Sequence, residues 1–165
     1  MLRLVIALLA VGLSSASCDP APVAENATEV APSKPASNAF PDATEVRLFV
    51  ETRLDADGDP VLSKPNGLKL NPTQRAQFES YLVVEPIPES MTACFIPHHF
   101  FRYFDAKGRK VGEIEVCFCC GGVAVNGKAA ILVAKDEHIS ADYRKLEAFV
   151  RSLGESTQVQ CDAAD

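Results

Sequence analysis

The chain is 165 residues long, 47% hydrophobic and 23% charged, which suits one small domain and leaves too little chain for two cores. Its 16 Lys and Arg stand against 22 Asp and Glu, a formal charge of -6, and no basic cluster rises from that background. Phosphate neutralisation needs such a face, so nucleic acid is excluded from the expected partners.

Residues 1–17 have the layout of an export signal: Arg3 supplies one positive charge, residues 4–13 are an apolar run, and small residues 14–17 lead into Cys18. The run is too short for a stable membrane span. The small residues before Cys18 resemble the bacterial lipoprotein signal, in which that cysteine is lipidated and becomes the new N-terminus. Ser15 stands where Leu is usual, so cleavage near Ala16 or Ser17 is the alternative. A lipidated Cys18 holds a protein to the membrane surface without spanning it. The expected location is the bacterial cell envelope, periplasm-facing in a Gram-negative cell, with a soluble periplasmic or secreted protein as the alternative. Loss of Arg3 with the signal makes the charge balance one unit more negative.

Residues 18–43 carry the attachment cysteine and a Pro- and Ala-rich stretch with no aromatic before Phe40, the composition of a flexible linker. One domain is expected over 44–155, followed by a polar tail, 156–165. Within the domain, residues 45–53 alternate, with Val46, Leu48 and Val50 on one face of a strand. Residues 54–69 are rich in Asp, Gly and Pro and read as loop; D-A-D-G-D lacks the downstream Glu of a calcium loop and reads as a turn. Asn71-Pro72-Thr73-Gln74 opens a helix with a capping box and Pro at its first position. That helix is expected to reach Val84, before Pro86 and Pro88.

Residues 93–104 and 109–120 flank Asp105-Ala106-Lys107-Gly108, a hairpin turn. With a bulge at Gly108, paired residue numbers sum to about 214. This register sets Phe100 opposite Ile114, His98 opposite Val116 and Cys94 opposite Cys120 on a core face, with His99 opposite Glu115 and Pro97 opposite Cys117 on the other. Asn126-Gly127 marks a second hairpin between 123–125 and 128–134. Ser140 is expected to cap a final helix in which Tyr143, Leu146, Phe149, Val150 and Leu153 share a face, with Gly154 as its stop. The expected fold is α+β: a small antiparallel meander of about four strands covered by two helices.

Four of the six cysteines lie near the central hairpin: Cys94, five residues before His99, and Cys117, Cys119 and Cys120. An unbroken ladder separates Cys94 and Cys120 from His99 and Cys117. A bulge at Pro97, which has no N–H for the ladder, and a bend at Gly121-Gly122 would bring Cys94, His99, Cys117 and Cys120 together. Three thiolates and one imidazole form a common closed structural zinc set.

The block C-F-I-P-H-H-F-F-R-Y-F-D, followed by G-R-K-V-G-E-I-E-V-C-F-C-C, resembles a family of uncharacterised bacterial proteins, many with export signals. Their shared pattern is C-x2-P-x-H, an aromatic strand, an Asp-containing turn and C-F-x-C. The matching positions are Cys94, Pro97, His99, Cys117, Phe118 and Cys120, while His98 replaces the family's Arg and Cys119 a polar residue. The resemblance covers about a quarter of the mature chain and implies His99, rather than His98, as the functional imidazole.

Three function classes follow. The first is a structural metal site, zinc at Cys94, His99, Cys117 and Cys120, in an envelope lipoprotein of unknown role. The second is a disulfide-stapled structural or interaction domain, favoured by an oxidising compartment, with Cys94 and Cys120 as a cross-strand pair and Cys119 and Cys161 as further thiols or a further pair. The third is a thiol enzyme, either through the C-x2-C of Cys117 and Cys120 or through Cys117, His99 and Glu115 as nucleophile, base and orienting acid. The reading leans against an enzyme. Zinc is the expected cofactor, without nucleotide, and without haem because Gly121 stands where C-x2-C-H needs histidine. The expected partner is the membrane surface, reached through Cys18.

Overall fold

The computed structural model describes residues 34–36, 38–87, 95–131 and 133–161. The signal, Cys18, most of the linker and Cys94 lie outside the described residues, all of which fall within the unit Ala31–Asp165. The elements in chain order are β1 (Lys34–Pro35), β2 (Glu45–Leu54), β3 (Pro60–Leu62), β4 (Leu68–Lys69), α1 (Pro72–Ser80), β5 (Leu82–Pro86), β6 (His99–Phe104), β7 (Lys110–Cys117), β8 (Gly122–Gly127), β9 (Glu137–Ala141) and α2 (Tyr143–Ser152).

These strands form two antiparallel sheets, not the single four-stranded meander expected. One has three strands in the order β1-β5-β9, and the other has six, in the order β3-β2-β6-β7-β8 with β4 also paired to β2. Buried residues of both sheets and both helices share one core, which includes Val46, Leu48, Phe78, Leu82, Phe101, Ile114, Leu146 and Val150. Phe78 of α1 stacks on Phe101 of β6 with ring centroids 3.7 Å apart.

Local signals explain the elements they predict. In β2 the alternation delivers Val46, Leu48 and Val50 to the core. At α1 the Asn71 side chain accepts from the Gln74 N–H and the Gln74 side chain from the Asn71 N–H, both at 2.9 Å, which satisfies two of the donors that a helix start leaves without partners. The β6–β7 turn is held by Asp105, whose Oδ1 accepts from the Lys107 and Arg109 N–H groups at 2.8 and 3.0 Å, while Gly108 takes φ +75°. Asp55 does the same between β2 and β3, accepting from Asp57 and Asp59, so D-A-D-G-D is a turn.

Four expectations are corrected. Helix α1 stops at Ser80, and Leu82–Pro86 is a strand paired with β9 rather than a last helical turn. Two short strands, β3 and β4, interrupt the 54–69 loop. Among the described residues no return strand follows Asn126-Gly127 over 128–134 and β8 is an edge strand paired with β7 alone; the chain goes on to β9 in the other sheet. The cap of α2 is Asp142, which accepts from the Lys145 N–H at 3.1 Å, while Ser140 belongs to β9.

The register of the central hairpin differs by one residue. Phe104 pairs with Lys110, but Tyr103 pairs with Gly112, so Val111 is an extra residue in β7. Every pair beyond it is displaced: Phe101 faces Ile114, Phe100 faces Glu115 and His99 faces Val116. A shift of one moves a strand's whole set of side chains to the other face. His99, Phe101 and Tyr103 therefore enter the core, at 1%, 0% and 0% exposure.

The domain also reaches into the segment read as linker. Lys34 and Pro35 pair with β5, and Ala36, Ala39, Phe40 and Ala43 are buried. Phe40 lies against Tyr103, with centroids 4.7 Å apart, and covers Gly112, where an added Cβ would lie 2.0 Å from the ring.

Candidate functional site

Strand β7 ends at Cys117, and a turn over 118–121 returns the chain into β8, with Gly122 paired to Cys117. Gly121 occupies the left-handed region at φ +63°, where a side chain would be strained. This turn brings the Cys117 and Cys120 Cα atoms to 5.6 Å, and the two residues form a disulfide. The Cys120 N–H donates to Cys117 Sγ at 3.2 Å. Cys117 is buried and Cys120 half-buried. Cys119 is exposed at the turn and is bonded to Cys161, 42 residues later, with Cα atoms 5.2 Å apart.

The second disulfide ties down the segment that begins at Glu155, where residues 155–159 alternate between buried and exposed although the sequence reads as a polar tail from 156. Glu155, Thr157 and Val159 are buried. Glu155 pairs with Lys64, and the Thr157 hydroxyl bridges Arg151 and Glu147 at 3.2 and 3.0 Å. Between them, the Ser156 carbonyl accepts a hydrogen bond from His99 Nε2–H at 2.7 Å. The His99 ring also meets Phe118 edge-on, with centroids 4.7 Å apart.

That hydrogen bond sets the tautomer: the proton is on Nε2, and Nδ1 is buried with no partner among the described residues. Burial is the larger influence on the ring and lowers its pKa below the ordinary histidine value, while the Ser156 carbonyl and Glu155 act in the opposite sense. His99 is thus a neutral core histidine that fastens the C-terminal segment.

The zinc site is overturned. Among the described residues no group of three or more His, Cys, Asp or Glu could hold a metal ion. Cys117 and Cys120 are consumed in a disulfide, and His99 spends Nε2 on Ser156. Cys94, the fourth expected ligand, lies outside the described residues, and Cys120, expected to face it, is bonded to Cys117 instead. The nucleophile, base and acid reading of Cys117, His99 and Glu115 does not assemble either: Glu115 pairs with Phe100 and accepts from the Asn126 amide at 2.6 Å. Burial, then the neighbouring Glu113, raises the Glu115 pKa.

Sequence reasoning missed three participants. The Ser156 carbonyl carries no side-chain signal. Phe95, half-exposed, lies over Gly122 beside Cys120: a Cβ on Gly122 would be 2.6 Å from the Phe95 ring and 3.7 Å from Cys120 Sγ. The alternation of Glu155, Thr157 and Val159 was legible as a period of two, but its polar residues disguised it. Comparison with family models, curated proteins and solved structures found no match.

Proposed function

We propose that the protein is a lipid-tethered domain of the bacterial cell envelope, closed by disulfides and serving as a structural or interaction module. The observation that carries this reading is the Cys119–Cys161 crosslink, which holds the C-terminal segment against the core histidine. A crosslink of that kind suits an oxidising compartment, and the export layout of residues 1–17 with Cys18 supplies the route to one. Among the described residues no helix is long and apolar enough to cross a membrane; the attachment proposed is a lipid on Cys18.

Peptide mapping without reductant, on protein taken from envelope fractions, tests the crosslinks. The expected result is Cys117 linked to Cys120 and Cys119 linked to Cys161. Recovery of all four as alkylatable thiols would overturn the proposal.

A further inference from the structure

The two disulfides differ in what opening them disturbs. Cleaving Cys119–Cys161 frees the segment that carries Thr157, Val159 and the acceptor of the His99 hydrogen bond, so its reduction is coupled to loss of packing. Cleaving Cys117–Cys120 opens a loop with a sequence separation of 3, confined to one turn between two paired strands. Little chain entropy is released there, and the two thiols stay adjacent for reclosure.

The short pair is also arranged for polar exchange. Cys117 is 3% exposed, whereas Cys120 is half-buried next to the exposed Gly121, so of the two residues Cys120 is the more open to an incoming thiolate. The departing sulfur is then that of Cys117, which already accepts the Cys120 N–H. A hydrogen bond to a leaving thiolate favours its departure. Among the described residues no helix begins at the pair, and the backbone of the turn serves this purpose.

An exposed aromatic ring adjoins the pair, and a second exposed apolar residue follows it in the chain. Phe95 is 38% exposed and Ile96 59% exposed, and Phe95 is placed against Gly122 beside Cys120. Apolar contacts next to a disulfide add nothing for a small hydrophilic thiol but extend the contact of a thiol carried on a protein.

From these features we propose that Cys117–Cys120 is an exchangeable redox pair whose co-reactant is a protein dithiol docking on Phe95 and Ile96, while Cys119–Cys161 stays closed as the staple. The inference rests on the disulfide reading above. A partner thiolate attacks Cys120 Sγ; the Cys117–Cys120 bond breaks, a mixed disulfide forms at Cys120, and Cys117 leaves as thiolate. The partner's second thiolate then attacks its own sulfur in the mixed disulfide, and Cys120 leaves. The partner is oxidised to a disulfide, and Cys117 and Cys120 gain two electrons and, from solvent, two protons.

The full chain is equilibrated in glutathione buffers, quenched by alkylation and mapped by peptide mass. Cys117–Cys120 is expected to open at a ratio of squared reduced to oxidised glutathione at least tenfold lower than Cys119–Cys161. Simultaneous opening, or opening of Cys119–Cys161 first, overturns the proposal; thiols found free before any reductant is added defeat the disulfide reading itself. In Cys117→Ser, glutathione is expected to accumulate on Cys120, whereas Cys120→Ser leaves a buried thiol that does not trap it; the opposite pattern overturns the order of attack. With reduced thioredoxin as the protein dithiol, Phe95→Ala and Ile96→Ala are expected to slow reduction several-fold while leaving the rate with glutathione unchanged. Equal effects on both reductants, or none, overturn the assignment to a protein partner.

Discussion

His99 shows how one side chain couples the sheet to the end of the chain. Its ring is buried, neutral and bonded to the Ser156 carbonyl. Because its folded pKa is lowered, the unfolded chain takes up a proton first as pH falls. The stability tied to the neutral ring is complete above the unfolded value of about 6.5 and is lost as pH drops from there through the lower folded value. Denaturant midpoints of the native protein are therefore expected to fall between pH 7 and pH 5, and His99→Gln to remove part of that slope. Equal slopes in the two proteins would refute this role. A second residue-scale prediction concerns Gly112, where an added Cβ would meet the Phe40 ring at 2.0 Å. Gly112→Ala is expected to cost about 1–3 kcal/mol as an overpacked contact, and Phe40→Ala on top of it to relieve much of that cost in a double-mutant cycle. The role of His99 was not legible beforehand, because one extra residue at Val111 decides which face it takes, and the turn sequence D-A-K-G is compatible with either register.

Elements whose reasons are local were readable. The capping box of α1, the Asp105 turn, the alternation of β2 and the apolar stripe of α2 each rest on contacts within a few residues. Elements whose reasons are distant were not. Strand β5 follows α1 with only Tyr81 between them, and its extended form is set by β9, whose residues pair with it across more than fifty positions. The expected second hairpin failed for the same reason: Asn126-Gly127 is a good turn pair, but the next strand finds its partner in the other sheet. The C-terminal segment belongs to this scale as well. In the chain-entropy picture, a crosslink with a separation of 42 residues stabilises by about 4 kcal/mol and one closing a loop of about four residues by about 2 kcal/mol. Cys161→Ser is thus expected to lower the unfolding free energy by more than Cys120→Ser, measured by denaturant titration under non-reducing conditions. The reverse ranking would remove the Cys119–Cys161 bond from its place as the main staple.

For the whole molecule, composition limited the size and charge character, and the cysteine spacing pointed to the correct corner of the fold. It could not choose between thiolates gathered on an ion and sulfurs joined in pairs, because both need the same residues at the same turn. The pair Cys119 and Cys161 was among the alternatives the sequence offered, but spacing could not select it, since Cys161 reaches the turn only when residues 155–159 pack on the core. At this scale the tether makes its own prediction: the native protein is expected in the membrane pellet and Cys18→Ala in the soluble fraction, as judged by fractionation with detergent release as control. A pelleted Cys18→Ala protein would argue against lipid attachment. The pairing of β1 with β5 bears on how such a tether works. Lys34 is held to the domain by its pairing with β5 and stands 16 positions after Cys18, a length of chain that cannot exceed about 55 Å. If Cys18 carries the proposed lipid, that contour is the ceiling on how far the first strand can stand from the bilayer, and a partner of the domain would have to come within that height.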